Sequence, residues 1–220
     1  MRPALGLGVV LLLATALIFG SAYAAFRELQ PFFALSGSNE ERVDILASSA
    51  IRPGLSYRSK QTVVNDCAEA MTGLAILSVE TEAADRVYQN CGAIASDVVA
   101  HSPSFSYAWY VLALTIRNPE DAGRFADAMV NARRTSPNQE GLVYYRAMLA
   151  YSRWDRLDEP ARNALTPDFA VMATSQRGRT WMARVYLSDL EFRETIIAAL
   201  ETVPPDIQRG FLRAVSAAGG

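Results

Sequence analysis

Two cysteines and one histidine are the first residues to consider for redox, metal or acid–base chemistry in this sequence. Cys67 and Cys91 are far apart, so the sequence has no CxxC motif of the thioredoxin or haem-attachment kind. His101 is the only histidine, which excludes a Ser-His-Asp triad and a multi-histidine metal site. The glycine motifs that bind phosphates and the GxSxG nucleophile motif are absent as well. We therefore expect no catalytic residue, no cofactor and no metal ion.

Arginine and aromatic residues are the candidates for binding a partner. They form three short groups: Arg133-Arg134, Tyr144-Tyr145-Arg146, and Arg153-Trp154 followed by Arg156. Trp, Tyr and Arg carry much of the binding energy at protein interfaces. The residues that we predict to bind a partner are Arg133, Arg134, Arg153, Trp154 and Arg156. The alternative is structural, because Trp109 and Tyr145 would suit a core and paired arginines are usually solvated near helix C-termini.

The composition excludes several classes of protein. The chain has 220 residues, of which 50% are hydrophobic and 20% charged, so it is neither disordered nor collagen-like. Lysine and arginine total 21 against 23 acidic residues, and the formal net charge of −2 argues against nucleic-acid binding. Two cysteines are too few for a disulfide-rich scaffold. The length allows one domain, or two small ones, with a buried core.

The longest apolar run lies at the N-terminus. Residues 3–26 are 24 consecutive residues without a charge. As a helix they would span roughly 36 Å, which exceeds the roughly 30 Å hydrocarbon core of a bilayer. Arg2 precedes the run, whereas Arg27 and Glu28 cancel each other after it. The positive-inside rule then places the N-terminus in the cytoplasm and residues 27–220 outside it. We predict a transmembrane anchor over residues 1–27, in the lipid bilayer through residues 3–26.

A cleaved signal peptide is the alternative for the same segment. Ala22-Tyr23-Ala24 fits a small-x-small cleavage site, with cleavage after Ala24. Against cleavage, the apolar run continues to Phe26, and the following FRELQPFF keeps aromatic residues that suit a membrane interface. In both cases most of the chain lies outside the cytoplasm.

Helix signals dominate the rest of the chain, and no run of alternating β-branched residues predicts a strand. We expect an all-α domain over residues 28–220, built from helical hairpins. Ser38 and Glu41 form a capping box that opens a helix toward Ala50. The other predicted helices run from 59 to 78, from the cap Thr81 to His101, from Ser104, from Asn118-Pro119, from Ser136-Pro137, from Thr166-Pro167, and over 205–218.

The positions of the two cysteines indicate a cross-link between two of these helices. Cys67 lies on the predicted helix over 59–78, and Cys91 lies on the next one. Their midpoint is residue 79, in the predicted turn, so a hairpin would bring them to the same height. We predict a disulfide between them, because it would persist outside the cytoplasm. The alternative is two buried free thiols.

One unit of the chain matches a repeat pattern. Ser102-Pro103 and Ser136-Pro137 are 34 residues apart, which is the tetratricopeptide period. Within this period the residues that the pattern assigns to a repeat core are Trp109, Leu112, Ala113, Ala132 and Pro137. Small residues would let the paired helices approach, and the large ones would fill the groove between them. The neighbouring units are degenerate, and the alternative is an irregular helical domain with chance spacing.

The layout resembles that of small membrane-anchored proteins of bacterial exopolysaccharide-synthesis loci, of the VpsP type. The residues that carry the resemblance are Ser106-Tyr107-Ala108-Trp109, Leu112-Ala113, Ala128, Ala132, Ser136-Pro137, Trp154-Asp155-Arg156-Leu157 and Arg162. The resemblance implies one inner-membrane segment followed by a degenerate tetratricopeptide-like domain. It also implies an accessory role in the assembly or export of a surface polysaccharide, without catalysis.

Together these observations predict a non-enzymatic adaptor. It would be held in the bacterial inner membrane by a single span, with its bulk in the periplasm, and it would bind one or more protein partners there and no nucleic acid. One alternative is an accessory subunit of another inner-membrane complex, bound through the span itself. The other is a secreted helical protein, released by cleavage.

Overall fold

The computed structural model describes residues 3–48 and 51–219, and all of the regular structure in those residues is helical. The fold class is therefore all-α, as predicted. Contacts between residues divide the chain into two compact units, Met1–Ile94 and Ala95–Gly220. The predicted boundary between residues 27 and 28 concerns the membrane and stays a prediction.

The described residues of unit 1 form four helices and most of a fifth. These are α1 (Pro3–Ala34), α2 (Asn39–Ala47), α3 (Tyr57–Thr72), α4 (Ala75–Ser78) and the first part of α5 (Thr81–His101). Helix α3 packs against α1 and α2, and α4 packs against α2 and α3.

The first helix changes character along its length. It is long and apolar enough over Gly8–Ala34 to cross a membrane, and its most apolar window of 18 residues has no buried member. The side chains of residues 8–26 are exposed, apart from a half-buried Ala24. Partial burial begins at Arg27, and Pro31 is the first buried residue, where α1 meets the rest of unit 1. The exposed apolar part of α1 therefore ends at Arg27, the first charged residue after the run, and the part that packs on protein begins there.

The capping box of α2 is confirmed. Ser38 accepts a hydrogen bond from the Glu41 amide at 3.3 Å, and the Glu41 carboxylate accepts one from the Ser38 amide at 2.8 Å. The predicted end of this helix at Ala50 lies outside the described residues. The expected helix over 59–78 is two helices, because the chain turns into an extended conformation at Gly73. Helix α5 ends at His101 as predicted, although it begins at Thr81 itself and not after it.

The predicted disulfide is confirmed. Cys67 in α3 and Cys91 in α5 are bonded, with their Cα atoms 5.7 Å apart, and both side chains are fully buried. Two further hydrogen bonds hold α5 in unit 1. The Tyr88 hydroxyl donates to the Met71 carbonyl at 3.2 Å, and the Asn90 amide donates to the Leu46 carbonyl at 2.8 Å. A covalent bond and two polar contacts therefore fix the register of α5.

Unit 2 contains the end of α5 and seven more α-helices. They are α6 (Ser106–Thr115), α7 (Ala122–Thr135), α8 (Glu140–Ser152), α9 (Glu159–Thr174), α10 (Gln176–Ser188), α11 (Arg193–Glu201) and α12 (Pro205–Gly219). Helix α6 packs along α7, α8 along α9, and α10 along α12, while α9 also contacts α7, α10 and α11. Helix α9 is thus the central element of this unit.

Local sequence signals placed some helix starts of unit 2 correctly and others wrongly. Asn118 caps a short 3-10 helix that begins at Pro119 and leads into α7, as expected. Ser104 does not open α6, since residues 102–105 form a turn in which the Phe105 amide donates to the Ser102 carbonyl. Residues 136–139 also form a connection, and α8 begins only at Glu140. Pro167 lies inside α9 and starts no helix.

Reducing the Cys67–Cys91 disulfide will destabilise unit 1. The bond closes a loop with a sequence separation of 24, and loss of this constraint on the unfolded chain corresponds to roughly 3–4 kcal/mol. The measurement is urea-dependent hydrogen exchange of α3 and α5 peptides, in the detergent-solubilised full chain, with and without dithiothreitol. The matched control is the variant Cys67→Ser with Cys91→Ser, which should not respond to the reductant. Equal protection of the oxidised and reduced wild-type chain would contradict the expectation.

Candidate functional site

Four of the five residues assigned to a repeat core lie on α6 and α7, which pack against each other. Ala113 and Ala132 are fully buried, which lets the two helices approach closely. Trp109 and Leu112 are half-buried, and the Trp109 indole N–H donates to the Pro103 carbonyl at 2.8 Å. Pro137 is exposed, in the connection before α8. Whether this pair is one unit of a tetratricopeptide-like array stays a prediction.

Arg153, Trp154 and Arg156 contact other parts of unit 2. The Arg153 guanidinium donates to the carbonyls of Ala113 at 3.1 Å and Ile116 at 2.8 Å. These are carbonyls at the C-terminus of α6, which a cation stabilises. Arg156 donates to the Arg117 carbonyl at 2.9 Å. Arg153 and Arg156 thus tie the segment after α8 to the end of α6.

Trp154 belongs to an aromatic cluster in the core of unit 2. Its ring is edge-on to Phe192 at 5.1 Å and to Phe169 at 6.0 Å between centroids. Tyr151 is edge-on to the same Phe192 at 4.8 Å and to Trp181 at 5.3 Å. Edge-to-face pairs add stabilisation beyond the buried area. Trp154 therefore has a packing role here, and a role in binding a partner stays a prediction.

Arg146 is the largest fully buried side chain of the described residues, and it is charged. Its Nε donates to Asp168 Oδ2 at 2.6 Å and its Nη2 donates to Asp168 Oδ1 at 2.8 Å. Its Nη1 donates to the carbonyls of Ala132 at 3.3 Å and Ser136 at 3.2 Å. Proteins tolerate a buried guanidinium when a carboxylate binds it through two hydrogen bonds and when carbonyls accept from its other nitrogen. Arg146 meets both conditions.

Arg133 completes this buried ion network, and Arg134 does not join it. Arg133 Nε lies 3.1 Å from Asp168 Oδ1. Burial raises the pKa of the Asp168 carboxyl, while the bonds from Arg146 and Arg133 oppose that rise by stabilising the carboxylate. Arg134 is exposed. Of the five arginine and tryptophan residues predicted to bind a partner, Arg134 is thus the one whose side chain is exposed.

A recess lined by arginine and aromatic side chains lies elsewhere on unit 2, between α8 and α10. Its volume is about 610 Å³, and its lining comprises Tyr144, Gln176, Arg177, Thr180, Trp181 and Arg184. The Arg177 guanidinium carbon lies 4.2 Å from the centre of the Tyr144 ring, a cation–π contact. None of the described residues that line the recess is acidic. We call this recess, with these six residues, the α8–α10 groove.

The turn between α9 and α10 positions the cationic side of the groove. Ser175 is the only residue between the two helices, and its side chain caps α10 by accepting from the Gly178 amide at 3.0 Å. A Cβ atom at Gly178 would collide with the Met172 carbonyl, so this close approach requires glycine. Arg179 donates to the Ala173 carbonyl at 2.8 Å and holds the same turn. The tight turn fixes the first turn of α10, and with it Arg177.

Sequence reasoning singled out Tyr144 in this groove and missed its other residues. The signal that would have found them is the spacing of Arg177, Trp181 and Arg184, which places one aromatic and two cationic side chains on one face of a helix. Helical periodicity places the α10 residues of the groove on one face, and the packing of α8 and α10 on α9 brings Tyr144 next to them. This packing is not visible in the local sequence.

The chain was compared with protein-family models, curated proteins and solved structures, and none of the three comparisons finds a match. Within the described residues, no group of three or more His, Cys, Asp or Glu side chains is arranged to hold a metal ion.

Replacing Arg146 by methionine will destabilise unit 2 strongly. The variant Arg146→Met removes the bidentate partner of a buried carboxylate, and we expect a loss of about 3 kcal/mol, the low end for a broken buried pair because Arg133 keeps its contact with Asp168. The measurement is urea unfolding of the full chain in detergent. The matched control Arg134→Met changes an exposed arginine and should stay within about 0.5 kcal/mol. The double variant Arg146→Met with Asp168→Leu should recover most of the loss, and a double variant less stable than the single one would contradict this account.

Proposed function

We propose that this chain is a non-enzymatic, membrane-anchored adaptor that binds a protein partner outside the bacterial cytoplasm through the α8–α10 groove. The observation that carries the proposal is the groove itself. Trp181, Tyr144 and two arginines converge there, and these are the residue types that dominate binding energy at interfaces. The excess of positive charge favours a partner segment with exposed carboxylates, which guanidinium groups bind in bidentate fashion.

The location in this proposal is supported by unit 1. The most apolar stretch of α1 has no protein cover, and the helix is long enough over Gly8–Ala34 for a single span. The Cys67–Cys91 disulfide is of a kind that persists in an oxidising compartment. With the positive-inside orientation, both observations favour a periplasmic position for units 1 and 2.

The biological setting in this proposal follows from the resemblance to proteins of exopolysaccharide-synthesis loci. We infer that the helical hairpins of unit 2 form a degenerate tetratricopeptide-like surface, and that the partner belongs to the machinery that assembles or exports a surface polysaccharide. Stacked helical hairpins support such a role because they expose extended surfaces to partners.

Reversing the charge of the groove will strongly weaken capture of the partner. A photo-crosslinking residue at Thr180 in the full chain, expressed in the native host, should give an adduct with a specific protein. The variant Arg177→Glu with Arg184→Glu should lower the adduct by about tenfold, since it replaces attraction by repulsion at two contacts. The matched control is Arg134→Glu, an exposed arginine that does not line the groove, and it should leave the adduct unchanged. An adduct of equal yield in the groove variant would contradict the proposal.

A second set of variants distinguishes this proposal from a subunit bound through its span. In one full-length variant, alternating leucine and alanine replace residues 8–22. This change keeps the hydrophobic length of the span and removes its specific side chains. Partner capture should persist in this variant and be strongly reduced in the groove variant. The reverse result would favour the accessory-subunit alternative, for which the sequence offers no GxxxG packing motif.

A further inference from the structure

The segment between α2 and α3 is fastened to α1 at the end of its apolar run. We call residues 52–58, which end in the first turn of α3, the juxtamembrane loop. The Arg27 guanidinium donates to the Pro53 carbonyl at 3.2 Å. The Glu28 carboxylate accepts from the backbone amides of Leu55 and, at 2.9 Å, of Ser56. The first two charged residues after the apolar run therefore fix the loop to the helix.

This attachment determines the height of the loop above the membrane. Phe26 is the last residue of the uncharged run, and Glu28 follows two residues later. Two residues of helix rise only about 3 Å. The polar interface on each side of the hydrocarbon core is about 5–8 Å thick. If residues 3–26 cross the bilayer, the loop therefore lies within the interface of the outer leaflet.

The exposed side chains of the loop match this environment. Leu55 is 81% exposed and Tyr57 is 64% exposed, although unit 1 buries other apolar residues nearby. Tyrosine is enriched at membrane interfaces because it combines an apolar ring with a polar hydroxyl. Arg52 and Arg58 flank the pair and are exposed as well. Cations at this height suit lipid phosphates.

The backbone amides of the loop have hydrogen-bond partners within unit 1, which suits an environment of low polarity. The Gly54 amide donates to the Ser59 hydroxyl at 2.8 Å, and the next two amides donate to Glu28. Three consecutive N–H groups thus have partners within unit 1. Unsatisfied backbone amides are costly away from water, so these bonds lower the cost of entering the interface.

We propose that the juxtamembrane loop is a second membrane contact of this chain, in which Leu55 and Tyr57 insert into the headgroup region of the bilayer and Arg52 and Arg58 bind lipid phosphates. The inference rests on the proposed anchoring through α1, and it is independent of the α8–α10 groove. The contact holds the base of unit 1 against the membrane and restricts tilting about a single helix.

The test places one fluorescent label on the loop of the full chain. Cys67 and Cys91 are bonded to each other and the described residues contain no free cysteine, so an introduced cysteine is the reactive thiol. Leu55→Cys is labelled with the fluorophore NBD and reconstituted into vesicles of phosphatidylcholine and phosphatidylglycerol that contain a lipid with a nitroxide quencher near the headgroup. The matched control is Leu74→Cys, which is 83% exposed in the same unit. It follows the end of α3, about 24 Å from Tyr57 along that helix.

We expect the lipid quencher to lower the fluorescence of the label at position 55 at least about twofold more than that of the label at position 74. Adding Arg52→Gln and Arg58→Gln to the Leu55→Cys chain should reduce this quenching. Equal quenching at the two positions, in protein that floats with the vesicles, would overturn the proposed insertion and leave the anchoring intact. Quenching that is unchanged by the arginine substitutions would overturn their role in phosphate binding. A chain that does not float with the vesicles would contradict the anchoring and the insertion together.

Discussion

The apolar side chains of residues 8–26 need a cover that the protein does not supply. In the described structure these side chains are exposed over almost the whole segment, and burial begins at Arg27. Transfer of such a surface from water to hydrocarbon is worth about 25 cal/mol for each Å². In the proposed function lipid supplies this cover. The proposed anchoring would place the folded residues of unit 1 beside a membrane, and it would explain why the leucine and tyrosine of the juxtamembrane loop are exposed.

Unit 2 depends on a different constraint, the burial of Arg146. A guanidinium without solvent must find an anion and carbonyl acceptors. Asp168 in α9 and the carbonyls of Ala132 and Ser136 at the end of α7 supply them. One side chain of α8 thereby joins α7 and α9. Helix α10 then leaves α9 through a single-residue turn, which places Arg177 over the ring of Tyr144, and Trp181 and Arg184 line the same groove.

Local sequence patterns predicted those features that a few neighbouring residues determine. The capping box at Ser38, the cap at Asn118 and the end of α5 at His101 are of this kind. The disulfide was predicted because the cysteines are symmetric about a turn. Thr166-Pro167 failed as a helix start because tertiary contacts prevail there. Leu165 and Phe169 are fully buried on either side of Pro167, and Asp168 must point to Arg146. These contacts offset the cost of about 3 kcal/mol for a proline inside a helix.

The α8–α10 groove could not be predicted from the local sequence, because it also depends on tertiary contacts. Its residues lie on two helices that are not consecutive, and only their common packing around α9 brings them together. The arginines predicted to bind a partner illustrate the same limit. The sequence places Arg133, Arg146 and Arg153 in three short groups of arginine and aromatic residues, but it does not show that Asp168 and helix-terminal carbonyls lie beside their guanidinium groups. The sequence identifies arginines that could bind an acceptor, whereas packing determines whether that acceptor belongs to the same chain.

The most direct test of the account is the intact mass of the chain recovered from carbonate-washed membranes of the native host. Retention of α1 as an anchor predicts that the protein stays in the washed membrane fraction and has the mass of a chain that includes residues 3–26. A protein released into the soluble fraction, with a mass that corresponds to a start at Ala25, would contradict it.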